Sequence, residues 1–139
     1  LAGADWSQGT LAARERTATL DAVATPGYRG HQEGDVGART TPRNLEQFRA
    51  LLDGYHSAFS KSSVKVTAQV AQGDLVATHW QITATHTGDY ESERGTLPPT
   101  HRIISWCGIS LDRFEGDRIA ESWVAWDKSG FYEALGLVK

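Results

Sequence analysis

Apolar positions recur at three- and four-residue steps along one stretch of the chain and at every second position along most of the sequence C-terminal to it. Leu45, Phe48, Leu52, Tyr55 and Phe59, widened by Leu51, trace one buried stripe and predict an amphipathic helix. Thr41 can cap its start, with Pro42 at the first helical position, where a missing N–H costs nothing. Lys61-Ser62-Ser63 is expected to end it. From Val64 to Val70 the period drops to two, as in a half-buried strand. Gly73-Asp74 reads as a turn into a second strand, Leu75 to His86, rich in β-branched residues. Thr87 to Thr100 reads as a loop, because Pro98-Pro99 cannot supply ladder N–H groups. Arg102 to Phe114 and Arg118 to Trp126 come next as third and fourth strands around the turn Glu115-Gly116-Asp117. A short helix is expected from Lys128 to Leu135, closed by Gly136.

The first thirty residues carry less pattern. Thr10 to Val23 holds good helix formers, with Leu11, Leu20 and Val23 as candidate buried positions, and Thr25-Pro26-Gly27 stops that segment. Tyr28-Arg29-Gly30-His31 then reads as the mouth of a loop that continues as a polar stretch from Gln32 to Arg39. Helices followed by an antiparallel meander make an α+β domain rather than alternating βαβ units. The long helix must face the sheet across a core, and strong curvature of the sheet would turn that space into a pocket.

The 139 residues suit a single domain spanning 1–139 that needs neither disulfide nor metal to hold together. The formal net charge of −3, with no Lys/Arg-rich run, argues against a nucleic-acid partner. No apolar run approaches the ~20 residues of a membrane span. A lone cysteine, Cys107, fits a reducing cytoplasm. The chain opens at Leu1 without Met or a signal-peptide pattern and reads as a trimmed product. Histidine and cysteine spacings do not match a metal site, so no metal is expected, and the absence of a phosphate loop and of a Gly-x-Ser-x-Gly elbow argues against phosphate binding and Ser-His-Asp hydrolysis. Five Trp residues could line an apolar cavity or simply fill the core.

Three segments in consistent order carry a family resemblance. Gly73 to Trp80 (GDLVATHW) with Thr85-His86-Thr87-Gly88, Leu97-Pro98-Pro99-Thr100, and Phe114 to Asp127 (FEGDRIAESWVAWD) resemble the SnoaL-like polyketide cyclases of the ketosteroid-isomerase-like, nuclear-transport-factor-2-like superfamily. The resemblance implies a cone-shaped α+β barrel, a curved antiparallel sheet wrapped around a long helix and an internal pocket. It also implies a homodimer and a cofactor-free site for a polyketide or other polycyclic, carbonyl-rich small molecule. The best-known members close a ring by intramolecular aldol condensation, with an Asp of the last strand as acid/base, and that Asp falls on Asp127. His31 takes the position of a His that lines the family's cavity. The chain departs from the pattern at His101, where Gly or Asp is usual, and in its longer, charged Asp89–Thr96 loop. The family's first helix would lie mostly before Trp6.

Asp127 shares a strand face with Ala125 and Trp123. In an apolar pocket its carboxyl would titrate higher, as a base working beside a carbonyl needs; equally, Asp127 could cap the helix that begins at Lys128. His31 could steady an enolate or relay a proton to Asp127, or be a solvated loop residue. His79 and His86, seven apart, point to opposite faces of one strand: His79 alternates with Gln81 and Thr83, whereas Trp80 alternates with Thr78 and Ile82. His86 is expected to hold the turn with Gly88, His101 to bear on substrate choice, and His56, off the apolar stripe, to lie at the surface. Tyr28, Tyr55, Trp80, Trp106 and Trp123 are candidate pocket walls or plain core. The expected function is a cofactor-independent cyclase or isomerase. The alternatives are a non-catalytic small-molecule-binding module and a dimerising partner domain of the same fold.

Overall fold

The computed structural model describes residues 20–32, 41–92 and 95–136. Of the helix expected over Thr10–Val23, residues 20–23 are helical, and the remainder, like most of the Gln32–Arg39 stretch and the family's first helix, lies outside the described residues.

The long helix, α1, spans Leu45–Ala58. Its cap is Asn44 rather than Thr41: Asn44 Oδ1 accepts from the Gln47 N–H at 2.8 Å, and Gln47 Oε1 accepts from the Asn44 N–H at 2.9 Å. Pro42 is therefore outside the helix. The backbone of Arg43 is already committed to a two-way bridge with Gly30, both bonds 2.8 Å, so helical bonding starts only beyond it. The helix ends at Ala58, earlier than expected, and Phe59 is extended. Lys61-Ser62-Ser63 lies within a strand, with Lys61 itself at φ 53°.

Five strands form one sheet: β1 (Ala24–Gln32), β2 (Phe59–Gln72), β3 (Leu75–His86), β6 (Ile103–Glu115) and β7 (Arg118–Trp126), in the order β1-β7-β6-β3-β2. The last four are the expected antiparallel meander, and the architecture is the mixed α+β, curved, mostly antiparallel sheet that was expected. Two features were not foreseen. The segment Tyr28–His31 is strand, not loop, and β1 pairs in parallel with β7. Pro26 and Gly27 are accommodated because β1 is an edge strand whose register shifts between Ala24 and Arg29. Within the Thr87–Thr100 loop, β4 (Tyr90–Ser92) and β5 (Gly95–Leu97) form a small hairpin.

Strand β2 also breaks its own period. Val66 pairs with Trp80 and Ala68 with His79, so Thr67 is bulged out. Val64 and Val66 face the helix side of the sheet, whereas Val70, beyond the bulge, pairs with Ala77 and is 69% exposed. The same slip turns Gln69 to the helix side, opposite Thr78.

A short helix, α2 (Lys128–Ala134), closes the sheet with Phe131 and Tyr132 buried. One core cluster gathers Phe59, Ala84, Ile104, Trp106, Phe131, Tyr132 and Leu135; a second gathers Leu20, Ala24, Tyr28 and Ile119.

Candidate functional site

Between the two clusters lies a cavity of about 220 Å³, walled by α1 on one side and by the helix-facing side of the sheet on the other. Phe48, Leu51, Leu52 and Tyr55 come from α1; Trp80, Ile82, Trp106, Val124 and Trp126 come from β3, β6 and β7. Strand alternation dictates this set. Trp80 pairs with Gly108 and Gly108 with Trp126, so these three positions share the cavity face. Gly108 has a steric task there: a Cβ would stand 2.5 Å from Trp80 Cζ2, so only glycine lets the Trp80 ring lie across the sheet.

The polar groups on the cavity wall are few: Gln32, His56, Ser62, Thr78 and Ser110, with the Tyr55 hydroxyl. Trp80 Nε1 donates to Ser110 Oγ at 2.9 Å, and Gln69 Nε2 donates to Thr78 Oγ1 at 2.9 Å. Trp126 Nε1 is buried without an acceptor among the described residues. Neither Asp nor Glu is among the lining residues, and Tyr55 and His56 are the titratable groups there.

Two expectations about the site do not survive the register. Asp127 does share a face with Ala125 and Trp123, but Trp123 pairs with Leu111 and Ala125 with Ile109, on the outer side of the sheet. The cavity-facing positions of β7 are Ser122, Val124 and Trp126. Asp127 is exposed, and its carboxylate caps α2, Oδ1 accepting from the Gly130 N–H at 2.9 Å. His31 pairs with Trp123 and is likewise on the outer side, its ring stacked on the indole at 5.3 Å with 5° between planes. His31 Nε2 lies 2.7 Å from Glu121 Oε2, while Arg29 and Arg113 each approach Glu121 Oε1 at 3.4 Å. The His31 hydrogen bond, then the charge of Arg29, hold the Glu121 carboxyl below its usual range despite its burial. Asp127 and His31 are not brought together.

The other candidates divide. Tyr55, Trp80 and Trp106 line the cavity. Tyr28 is core, 2% exposed and packed on Phe48; its hydroxyl meets Ser122, which donates to Asp112 at 2.6 Å, and burial pushes the phenol up to about 12. Trp123 is an outer-face residue. His79 is on the outer side, bonded through Nδ1 to the Thr67 hydroxyl. His101 is exposed in the left-handed region at φ 59° and does not reach the cavity. His86 holds the turn at Thr100: Nδ1 accepts the Thr100 N–H at 3.1 Å, which places the ring proton on Nε2.

His56 was assigned to the surface and instead lines the cavity. The signal was present, since His56 stands four residues after Leu52 and eight after Phe48. Ser110 was legible too, alternating with Trp106 and Ile104 along β6.

A long helix laid over the inner side of a curved sheet, with an apolar hollow between them, defines a cone-type α+β protein. The family model for SnoaL-like polyketide cyclases matches residues 8–135, and the chain belongs to that family. IdmH of Streptomyces antibioticus, provisionally a polyketide cyclase, shares 27% identity over 86% of each chain with a TM-score of 0.72. TsrD of Streptomyces laurentii shares 20% identity over 96% of this chain and 87% of its own, with a TM-score of 0.74. AclR of Streptomyces galilaeus, provisionally a hydroxylase, shares 22% identity over 84% of this chain and 71% of its own, with a TM-score of 0.71. No curated protein matches the chain in sequence. No helix among the described residues is long and apolar enough to cross a membrane.

Proposed function

We propose that the protein is a cyclase- or isomerase-type enzyme that takes a carbonyl-bearing apolar small molecule into the cavity and moves a proton next to the carbonyl. The observation that carries this reading is the cavity wall itself: aromatic and aliphatic nearly throughout, with an imidazole, His56, on it. His56 is the group that accepts and returns the proton, the role first expected of Asp127. At about 220 Å³ the hollow is below the roughly 300–1,000 Å³ of drug-sized sites, which favours a ligand of one or two fused rings over a larger polycycle. The homodimer and cytoplasmic location implied at the sequence level belong to the same proposal.

The test is exchange of the methyl protons of acetylnaphthalene in D₂O, followed by proton NMR. The wild-type protein accelerates it; His56→Gln lowers the rate by roughly 10²–10⁴-fold, the usual worth of a general base, while acetylnaphthalene affinity holds. Equal rates in wild type and His56→Gln would remove His56 from the chemistry. Binding of acetylnaphthalene without any acceleration favours the second reading, a binding module, which the lack of a carboxylate among the lining residues supports.

A further inference from the structure

Thr78 and Ser110 are cross-strand partners on β3 and β6, both on the cavity face and both lining the cavity. Directly opposed positions hold their Cβ atoms roughly 4.5–5.5 Å apart. The two side chains are 1% and 5% exposed. Each hydroxyl oxygen is already engaged as an acceptor, Thr78 Oγ1 from the Gln69 amide and Ser110 Oγ from the Trp80 indole. An indole N–H can only donate, so the direction of the Ser110 bond is fixed by chemistry. A hydroxyl that accepts an N–H keeps its own hydrogen to give. Among the described residues neither hydroxyl gives that hydrogen to another group or to its neighbour.

Two buried O–H donors, side by side and aimed from the sheet into an apolar hollow, are costly unless something accepts from them. We propose that Thr78 and Ser110 form a paired hydroxyl cradle that receives one ligand oxygen, a ketone oxygen that gains charge as an enolate. Gln69 and Trp80 are positioning residues: by occupying the acceptor side of each oxygen they leave the hydrogens free for the ligand. The bulge at Thr67, which brings Gln69 opposite Thr78, and Gly108, which makes room for the Trp80 ring, are the backbone devices behind this arrangement. Donors set in advance in a low-dielectric site stabilise developing oxyanion charge without reorganising during the reaction.

This inference rests on the proposed carbonyl ligand, and the experiment separates the two. Acetylnaphthalene labelled with ¹³C at the carbonyl is bound to the whole protein and its C=O band recorded by infrared difference spectroscopy; ethylnaphthalene, of similar shape without the oxygen, is titrated alongside. The expected result is a band well below its position in hexane and a preference for the ketone. Ser110→Ala and Thr78→Val each move the band part of the way back and cost roughly three- to tenfold in ketone affinity, with ethylnaphthalene unaffected. The wild-type spectrum alone decides if either variant fails to fold. A band at its hexane position with both compounds bound overturns the cradle and leaves the apolar-ligand reading standing. Failure of both compounds to bind overturns both.

Discussion

Asp127 offers a sharp experiment because capping and catalysis make opposite demands on it. As a cap it needs an acceptor oxygen within reach of the Gly130 N–H; as a base it needs a titratable carboxylate. Asparagine supplies the first and lacks the second. In Asp127→Asn the cap bond at 2.9 Å is retained, and the loss is confined to the favourable charge at a helix N-terminus, about 0.3–1 kcal/mol at an exposed site. In Asp127→Ala the Gly130 N–H loses its partner, a cost of about 1 kcal/mol. That helix anchors Phe131, Tyr132 and Leu135 in the larger core cluster, so the loss registers in global stability, lowering the thermal midpoint by about 4 °C in a chain of this size. Asp127→Asn should lie much closer to wild type.

Turnover must then track the cap rather than the charge. Exchange of acetylnaphthalene methyl protons should be unchanged in Asp127→Asn and fall in Asp127→Ala only as far as the fold is loosened. A loss of a hundredfold or more in Asp127→Asn, at an unchanged thermal midpoint, would refute the reasoning. It would mean that the carboxylate reaches the ligand in spite of standing on the outer side of β7.

Two further predictions concern the core. Phe131 is fully buried, with ring contacts to Phe59, Trp106 and Trp126, so Phe131→Ala should cost about 3–5 kcal/mol in denaturant unfolding and, because those three rings wall the cavity, weaken acetylnaphthalene binding as well. His86 has its pKa lowered, chiefly by burial. In the unfolded chain it binds a proton near pH 6.5, whereas the folded chain resists until lower pH, so the unfolded state holds more protons in that interval and stability falls as pH falls. Thermal midpoints should therefore be flat from pH 8 to 7 and begin to drop as pH falls through about 6.5, and in NMR the His86 ring protons should titrate with a midpoint below that of a free imidazole. A His86 titration at or above 6.5 would contradict the buried, neutral ring.

Most of the fold was legible because period and punctuation are local properties. The α1 stripe, the β3, β6 and β7 alternations and the turns at Gly73 and Gly116, both left-handed at φ 59° and 64°, need only neighbouring residues to be recognised. What escaped depends on partners distant in the chain. The parallel pairing of β1 with β7 makes a strand of Tyr28–His31, and nothing within Tyr-Arg-Gly-His announces it. The Thr67 bulge is a property of the β2–β3 pair, and it alone decides that Val66 lines the cavity while Val70 faces out. The start of α1 moved for a similar reason, since Arg43 was claimed by Gly30 across a gap in sequence.

The site is less legible in the sequence than the fold, for one physical reason. Strand periodicity sorts residues into two faces but does not say which face meets the helix. Asp127, Ala125 and Trp123 were grouped correctly and placed on the wrong side; the same rule, anchored instead on Trp106 and Ile104 of β6, puts Ser110 and then Val124 in the cavity. That one-residue offset alters the chemistry available. A carboxylate base in an apolar hollow would be neutralised as the enolate formed, leaving the new charge to whatever donors the wall supplies. With Val124 at that wall, the proposed cradle of Thr78 and Ser110 supplies neutral hydroxyl donors instead, in a medium where each such bond is worth more than in water. In the reaction proposed above, proton removal falls to the imidazole of His56, which on taking the proton becomes a cation and so favours the enolate it has just made.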